Sequence, residues 1–144
     1  MEDELAALED VRGIAEGLEQ CVIAKIGAIA ATDQKYLLIA PRALRVQSIK
    51  LVSDVTTASS AAGSKEYGFK VKNLTQNNDL GATDTVTSDT EITADTAYTI
   101  TVDQNLDIAA GDVLELQVTK TGSPTSLAAA EIIVMIAYKD NSYS

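Results

Sequence analysis

Histidine and tryptophan are absent from these 144 residues, and cysteine occurs once, as Cys21. Without histidine the chain has no side chain that ordinarily exchanges protons near neutral pH, and it lacks the commonest metal ligand. A single cysteine excludes an intramolecular disulfide and a multi-thiolate zinc site. Cys21 follows a helical pattern rather than opening one, and it adjoins Val22 and Ile23, so it reads as a small buried hydrophobe and not as a reactive thiol. Neither Ser-x-x-Lys nor Gly-x-Ser-x-Gly occurs, and the glycines stand singly, so nucleophilic and phosphate-cradling motifs are both missing. The residue inventory therefore points away from an enzyme, and no cofactor is expected. Aromatics make up 4% of the chain, with 21 alanines, so each residue has little bulk to bury.

Positive charge is the scarcer sign, with 11 Lys+Arg against 21 Asp+Glu and a net charge of −10. Nucleic acid and anionic membrane would both repel such a chain, and neither is expected as a partner. The apolar runs Val22–Ala31 and Leu127–Tyr138 are interrupted by Lys25 and Glu131 and are shorter than a membrane-spanning helix. The opening MEDELAALED is acidic where a secretory leader is basic, so synthesis in the cytoplasm is expected.

Charge also divides the sequence. Residues 1–19 carry seven acids against Arg12, residues 20–72 carry eight bases against three acids, and residues 73–144 carry eleven acids against two bases. A basic block between acidic ones predicts complementarity, within the fold or between copies. Within the first block, Leu5, Leu8, Val11, Ala15, Leu18 and Val22 recur at three- and four-residue spacing, which is one apolar face of a helix. Gly13 and Gly17 weaken that helix by about 1 kcal/mol each relative to alanine, so it needs a surface to pack on. Residues 1–20 are accordingly read as an acidic arm, helical or extended, and residues 21–144 as one domain.

From residue 22 the period is two. Tyr67, Phe69 and Val71 alternate with Gly68, Lys70 and Lys72; Tyr98, Ile100 and Val102 alternate with polar neighbours; so do Leu114, Leu116 and Val118. Leu44 and Val46 are out of phase with Ile49 and Leu51, which predicts a bulge near Gln47–Ser48. Further strands are predicted at Val22–Ile29, Tyr36–Ala40, Asn105–Ile108 and Glu131–Tyr138. Turns are expected at Ala109–Asp112 and Thr121–Thr125, and loops at 58–64 and 75–96, the latter with short strands near Thr85–Thr87 and Glu91–Thr93. About eight strands without interleaved helices describe an all-β fold, an antiparallel β-sandwich of jelly-roll type.

Ile132 to Ala137 does not alternate. A strand apolar on both sides is normally covered on both sides, and a sandwich covers only its inner face. The outer face is therefore expected to meet the arm or another subunit. The acids from Asp79 to Asp95 are spaced about five apart, unlike a calcium loop, and read as a solvated segment. Tyr36 and Tyr143 are the aromatics open to a glycan.

The run Leu106-Asp-Ile-Ala-Ala-Gly-Asp-Val-Leu-Glu-Leu-Gln-Val-Thr-Lys-Thr-Gly-Ser-Pro-Thr, followed by the strand Glu131–Lys139, resembles the closing hairpin of the head decoration (cement) proteins of tailed bacteriophages. The Thr/Ala/Asp-rich composition and the acidic arm are similar to that group as well. The resemblance implies a homotrimer on the capsid exterior that bridges major capsid protein subunits and stabilises the shell. Partner contacts are then expected from Leu5, Leu8, Val11 and Leu18 on the arm, Lys25, Arg42 and Arg45 in the basic block, and Ile133 and Met135 on the last strand. The alternative is a head-fibre, tail or receptor-binding β-module that recognises a cell-surface glycan.

Overall fold

A computed structural model describes residues 18–57, 66–86, 92–122, 124 and 126–141. The strands among them are β1 (Glu19–Lys25), β2 (Asp33–Ile39), β3 (Leu44–Ser53), β4 (Glu66–Asn73), β5 (Asn78–Asp79), β6 (Asp84–Val86), β7 (Tyr98–Ile100), β8 (Asp107–Ile108), β9 (Val113–Thr121) and β10 (Ile132–Asp140). One short 3-10 turn, Ser126–Ala129, precedes β10.

Inward positions carry the apolar side chains that the period-two pattern predicts. Tyr67, Phe69 and Val71 of β4 and Leu114, Leu116 and Val118 of β9 are all buried. Tyr67 and Phe69 stack at 6.3 Å between ring centroids, and Phe69 tilts against Tyr98 at 6.2 Å. In β3, Leu44, Val46, Ile49 and Leu51 all point inward. They do so because the ladder to β10 skips Gln47: Ser48 faces Ala137 while Val46 faces Tyr138. The extra residue resets the phase, as the bulge predicted at Gln47–Ser48 requires.

All the ladders are antiparallel, and their order defines the roll. One sheet runs β1-β10-β3-β7, with β8 also on β3; the other runs β2-β9-β4-β5, with β6 also on β4. The pairing is nested: first strand with last, second with penultimate, β3 with β7 and β8, β4 with β5 and β6. A long antiparallel ribbon rolled so that successive pairs fall in opposite sheets has this order, which makes the domain a jelly-roll sandwich.

Polar side chains tie the loops to the strands. In the turn Ala109–Asp112, Gly111 takes φ +87°, and its N–H donates to the Ala40 carbonyl at 2.8 Å. Asp112, almost fully buried, accepts from Asn73 Nδ2 at 2.9 Å, Gln76 Nε2 at 3.3 Å and the Ala109 N–H at 3.0 Å. Burial alone would raise its pKa, but the three donors outweigh burial and hold the carboxyl below the usual range. The Tyr67 hydroxyl lies between the loop and the turn before β10, 3.2 Å from the Pro124 carbonyl and 3.3 Å from the Leu127 N–H.

Several expected boundaries move. The first strand is Glu19–Lys25 rather than Val22–Ile29; Gly27, at φ +69°, turns the chain away soon after. The sheet thus takes in Glu19 and Gln20, the last two residues assigned to the arm. The segment 75–96 holds β5 as well as β6. No strand forms at Ile92–Thr93, and Glu91 lies outside the described residues. Instead Ile92 is buried, and its N–H donates to Thr57 Oγ1 at 3.0 Å.

Candidate interaction surfaces

The charge blocks meet inside one chain. Arg42 Nε lies 2.5 Å from Asp140 Oδ2, Arg45 Nη1 lies 2.8 Å from Asp107 Oδ1, and Lys70 Nζ lies 3.5 Å from Asp79 Oδ2. Each pair joins the basic middle of the sequence to its acidic last part, so complementarity operates within the fold. Arg42 also donates to Gln20 Oε1 at 3.1 Å, so its guanidinium ties the start of β1 to the end of β10. Exposed pairs such as Arg45–Asp107 contribute little to stability, at most about 1 kcal/mol. Arg42 and Arg45, expected to reach an acidic partner, thus each hold a carboxylate of their own chain.

The outer face of the β1-β10-β3 sheet is apolar at its centre. Register places Cys21, Ala137 and Ser48 in one row, Ile23, Met135 and Lys50 in the next, and Lys25, Ile133 and Val52 in a third. Residues facing one another across a ladder share a face. Ile23 is 56% exposed and Ile133 36% exposed, Met135 is half-buried, and Cys21 and Lys25 are exposed. The exposed Cys21 corrects the expectation of a small buried hydrophobe there, while the arm expected to cover the last strand lies, up to residue 17, outside the described residues. β10 lies between β1 and β3, and its outward side chains lean on those neighbours, yet among the described residues nothing spans the face. Beyond Ile133 lies a depression of about 460 Å³ whose lining includes Lys25, Val52, Asp54, Asp95 and Glu131. Leu18, just before β1, is 56% exposed; Leu5, Leu8 and Val11 lie outside the described residues.

A second apolar surface, not foreseen as a contact, lies on β2. This strand is the outermost of its sheet and pairs only with β9 among the described residues. Tyr36 is 74% exposed and Ile39 69% exposed, and with Leu38 and Val113 they border a hollow of about 430 Å³. Lone edge strands invite further strand pairing unless guarded. Here the ladder shift at Leu37 and the Lys35–Asp33 ion pair (3.0 Å) guard the edge, so the patch offers side chains more than backbone. The sequence signal was the unbroken triplet Leu37-Leu38-Ile39, which, like the last strand, is apolar in both phases.

Among the described residues no group of three or more metal-ligating side chains occurs. Asp84 instead accepts from the Thr101 N–H at 2.5 Å and from Thr101 Oγ1 at 2.6 Å, and Asp79 faces Lys70. Asp89 and Glu91 lie outside the described residues. Tyr36 is the exposed aromatic among the described residues, and the hollow beside it is lined by aliphatic side chains.

No family model matches the chain, and no curated protein matches it. A chain of the cyanophage Pam1 capsid asymmetric unit is similar in structure, with TM-score 0.53 and 14% identity, covering 87% of this chain and 86% of that one. A chain of the infectious bursal disease virus VP2 subviral particle aligns at TM-score 0.37 and 12% identity, over 89% of this chain and 35% of that one. The first of these likenesses shows a shared fold, extending over nearly the whole of both chains.

Proposed function

We propose that this chain is a structural protein of a virion which binds the outside of a phage capsid as an oligomer and stabilises the shell. The observation that carries this reading is the end-to-end fold likeness to a chain of the Pam1 capsid asymmetric unit. Cementing a shell needs no catalytic group; it needs a rigid sandwich with adhesive surfaces, and modest contacts repeated within an oligomer give a lasting attachment. The Tyr36–Ile39 patch at the β2 edge is assigned to contact between copies, with a homotrimer as the assembly.

Light scattering on the purified protein should then give three times the chain mass. Replacing Tyr36 and Ile39 by serine should reduce it to the mass of one chain while the sheet signal in circular dichroism is retained. Mass spectrometry of purified particles should find the chain bound to a shell. A wild-type monomer at micromolar concentration, together with absence from particles, refutes the assignment. Binding to a glycan array by a chain absent from shells favours the receptor-binding alternative.

A further inference from the structure

We infer that the outer face of the β1-β10-β3 sheet is the docking site for the acidic segment 1–17 of the same chain. The face has a central apolar stripe, Cys21, Ile23, Ile133 and Met135, between cations, with Lys25 and Lys50 in its rows and Lys139 beside Glu19. Segment 1–17 carries six acids against Arg12 and an apolar stripe at Leu5, Leu8 and Val11. Charge and hydrophobicity are thus complementary across the two.

Length and attachment agree. A helix of that segment is about 25 Å long, and β1 is about 23 Å long from its seven residues. The segment joins the sheet at Leu18, at the end of β1 nearest Lys139. Doubling back there through Gly17, a residue free to take a left-handed backbone, lays it along β1 and β10. It then ends near Lys25, short of the carboxylates Asp54, Asp95 and Glu131 that border the far depression. Covalent attachment gives the segment an effective concentration on the order of millimolar at its own sheet, which a separate copy must match by association. The inference does not depend on the capsid reading.

Cys21, exposed on this face and the only cysteine, reports the docking directly. In the full chain its alkylation by iodoacetamide should be at least tenfold slower than in the same chain unfolded in guanidinium chloride. Leu8→Glu combined with Val11→Glu should bring the rate to within threefold of the unfolded thiol, with the sheet melting transition intact. Lys25→Glu, or 1 M salt, which shortens the screening length to about 3 Å, should raise the rate severalfold. The protection should not change over a hundredfold dilution. A native thiol as reactive as the unfolded one, or protection insensitive to the segment variants, to Lys25→Glu and to salt, overturns the proposal. Protection lost on dilution overturns it as well, by assigning the cover to a second copy.

Discussion

Val134→Asp and Ile133→Asp place the same carboxylate on opposite faces of one strand. Val134 is fully buried and faces Ala24 on β1 and Leu51 on β3. Among the described residues no basic side chain is buried. An aspartate there at pH 7 either remains ionised without a counterion or takes up a proton. Protonating a group of ordinary pKa 3.9 at pH 7 costs roughly 4 kcal/mol, from about 1.36 kcal/mol per pH unit. Losing the buried valine side chain adds about 1.5–3 kcal/mol. A domain of this size is stable by only about 5–15 kcal/mol, so the variant should melt roughly 20 °C lower or fail to fold. At Ile133 the carboxylate reaches solvent beside Lys25, and the expected loss is about 1 kcal/mol. Thermal melts followed by circular dichroism measure both. Acid discriminates further: the buried aspartate has its pKa raised by folding, so its penalty vanishes below about pH 4. Val134→Asp should therefore recover most of its deficit on acidification, apart from the lost packing. Equal losses at the two positions, or a Val134→Asp deficit independent of pH, would contradict the assignment of inner and outer faces.

Two further outcomes are expected. A Cβ at Gly81 would lie 2.2 Å from the Thr101 carbonyl oxygen, a backbone atom that cannot swing aside, so Gly81→Ala should cost about 1–3 kcal/mol in a denaturant titration. An unchanged midpoint would mean that the two segments separate without cost. Asp112 has its pKa lowered by folding, so its contribution is complete above the unfolded value near 3.9 and disappears as pH falls through the lower folded value. Asp112→Asn should lower stability at pH 7 and flatten the acid limb of the stability profile, whereas an acid limb parallel to wild type would show that the carboxylate is not what titrates.

Composition and periodicity carried much of the architecture. The inward triplets Tyr67-Phe69-Val71 and Leu114-Leu116-Val118 were legible because a two-residue period is local, and the phase slip between Val46 and Ile49 announced its bulge for the same reason. The missing histidine and lone cysteine narrow the site chemistry at the level of composition. Strand ends were less legible, because backbone geometry outside the pattern sets them, as Gly27 does after β1.

Which carboxylate each arginine meets, which neighbours an apolar face has and which strand stands at an edge depend on residues distant in sequence, and no periodicity encodes them. Arg42 meets Asp140 and Arg45 meets Asp107 only because the rolled ribbon brings the third strand beside the last and the eighth. The apolar outer side of β10 was visible in the sequence, but its neighbours β1 and β3, and the cations they add, were not. Tyr36 and Ile39 could be called a patch only once β2 proved to be outermost. Hydrophobic periodicity is a property of a few consecutive residues, whereas adjacency across a sheet is decided by how the whole chain folds back on itself.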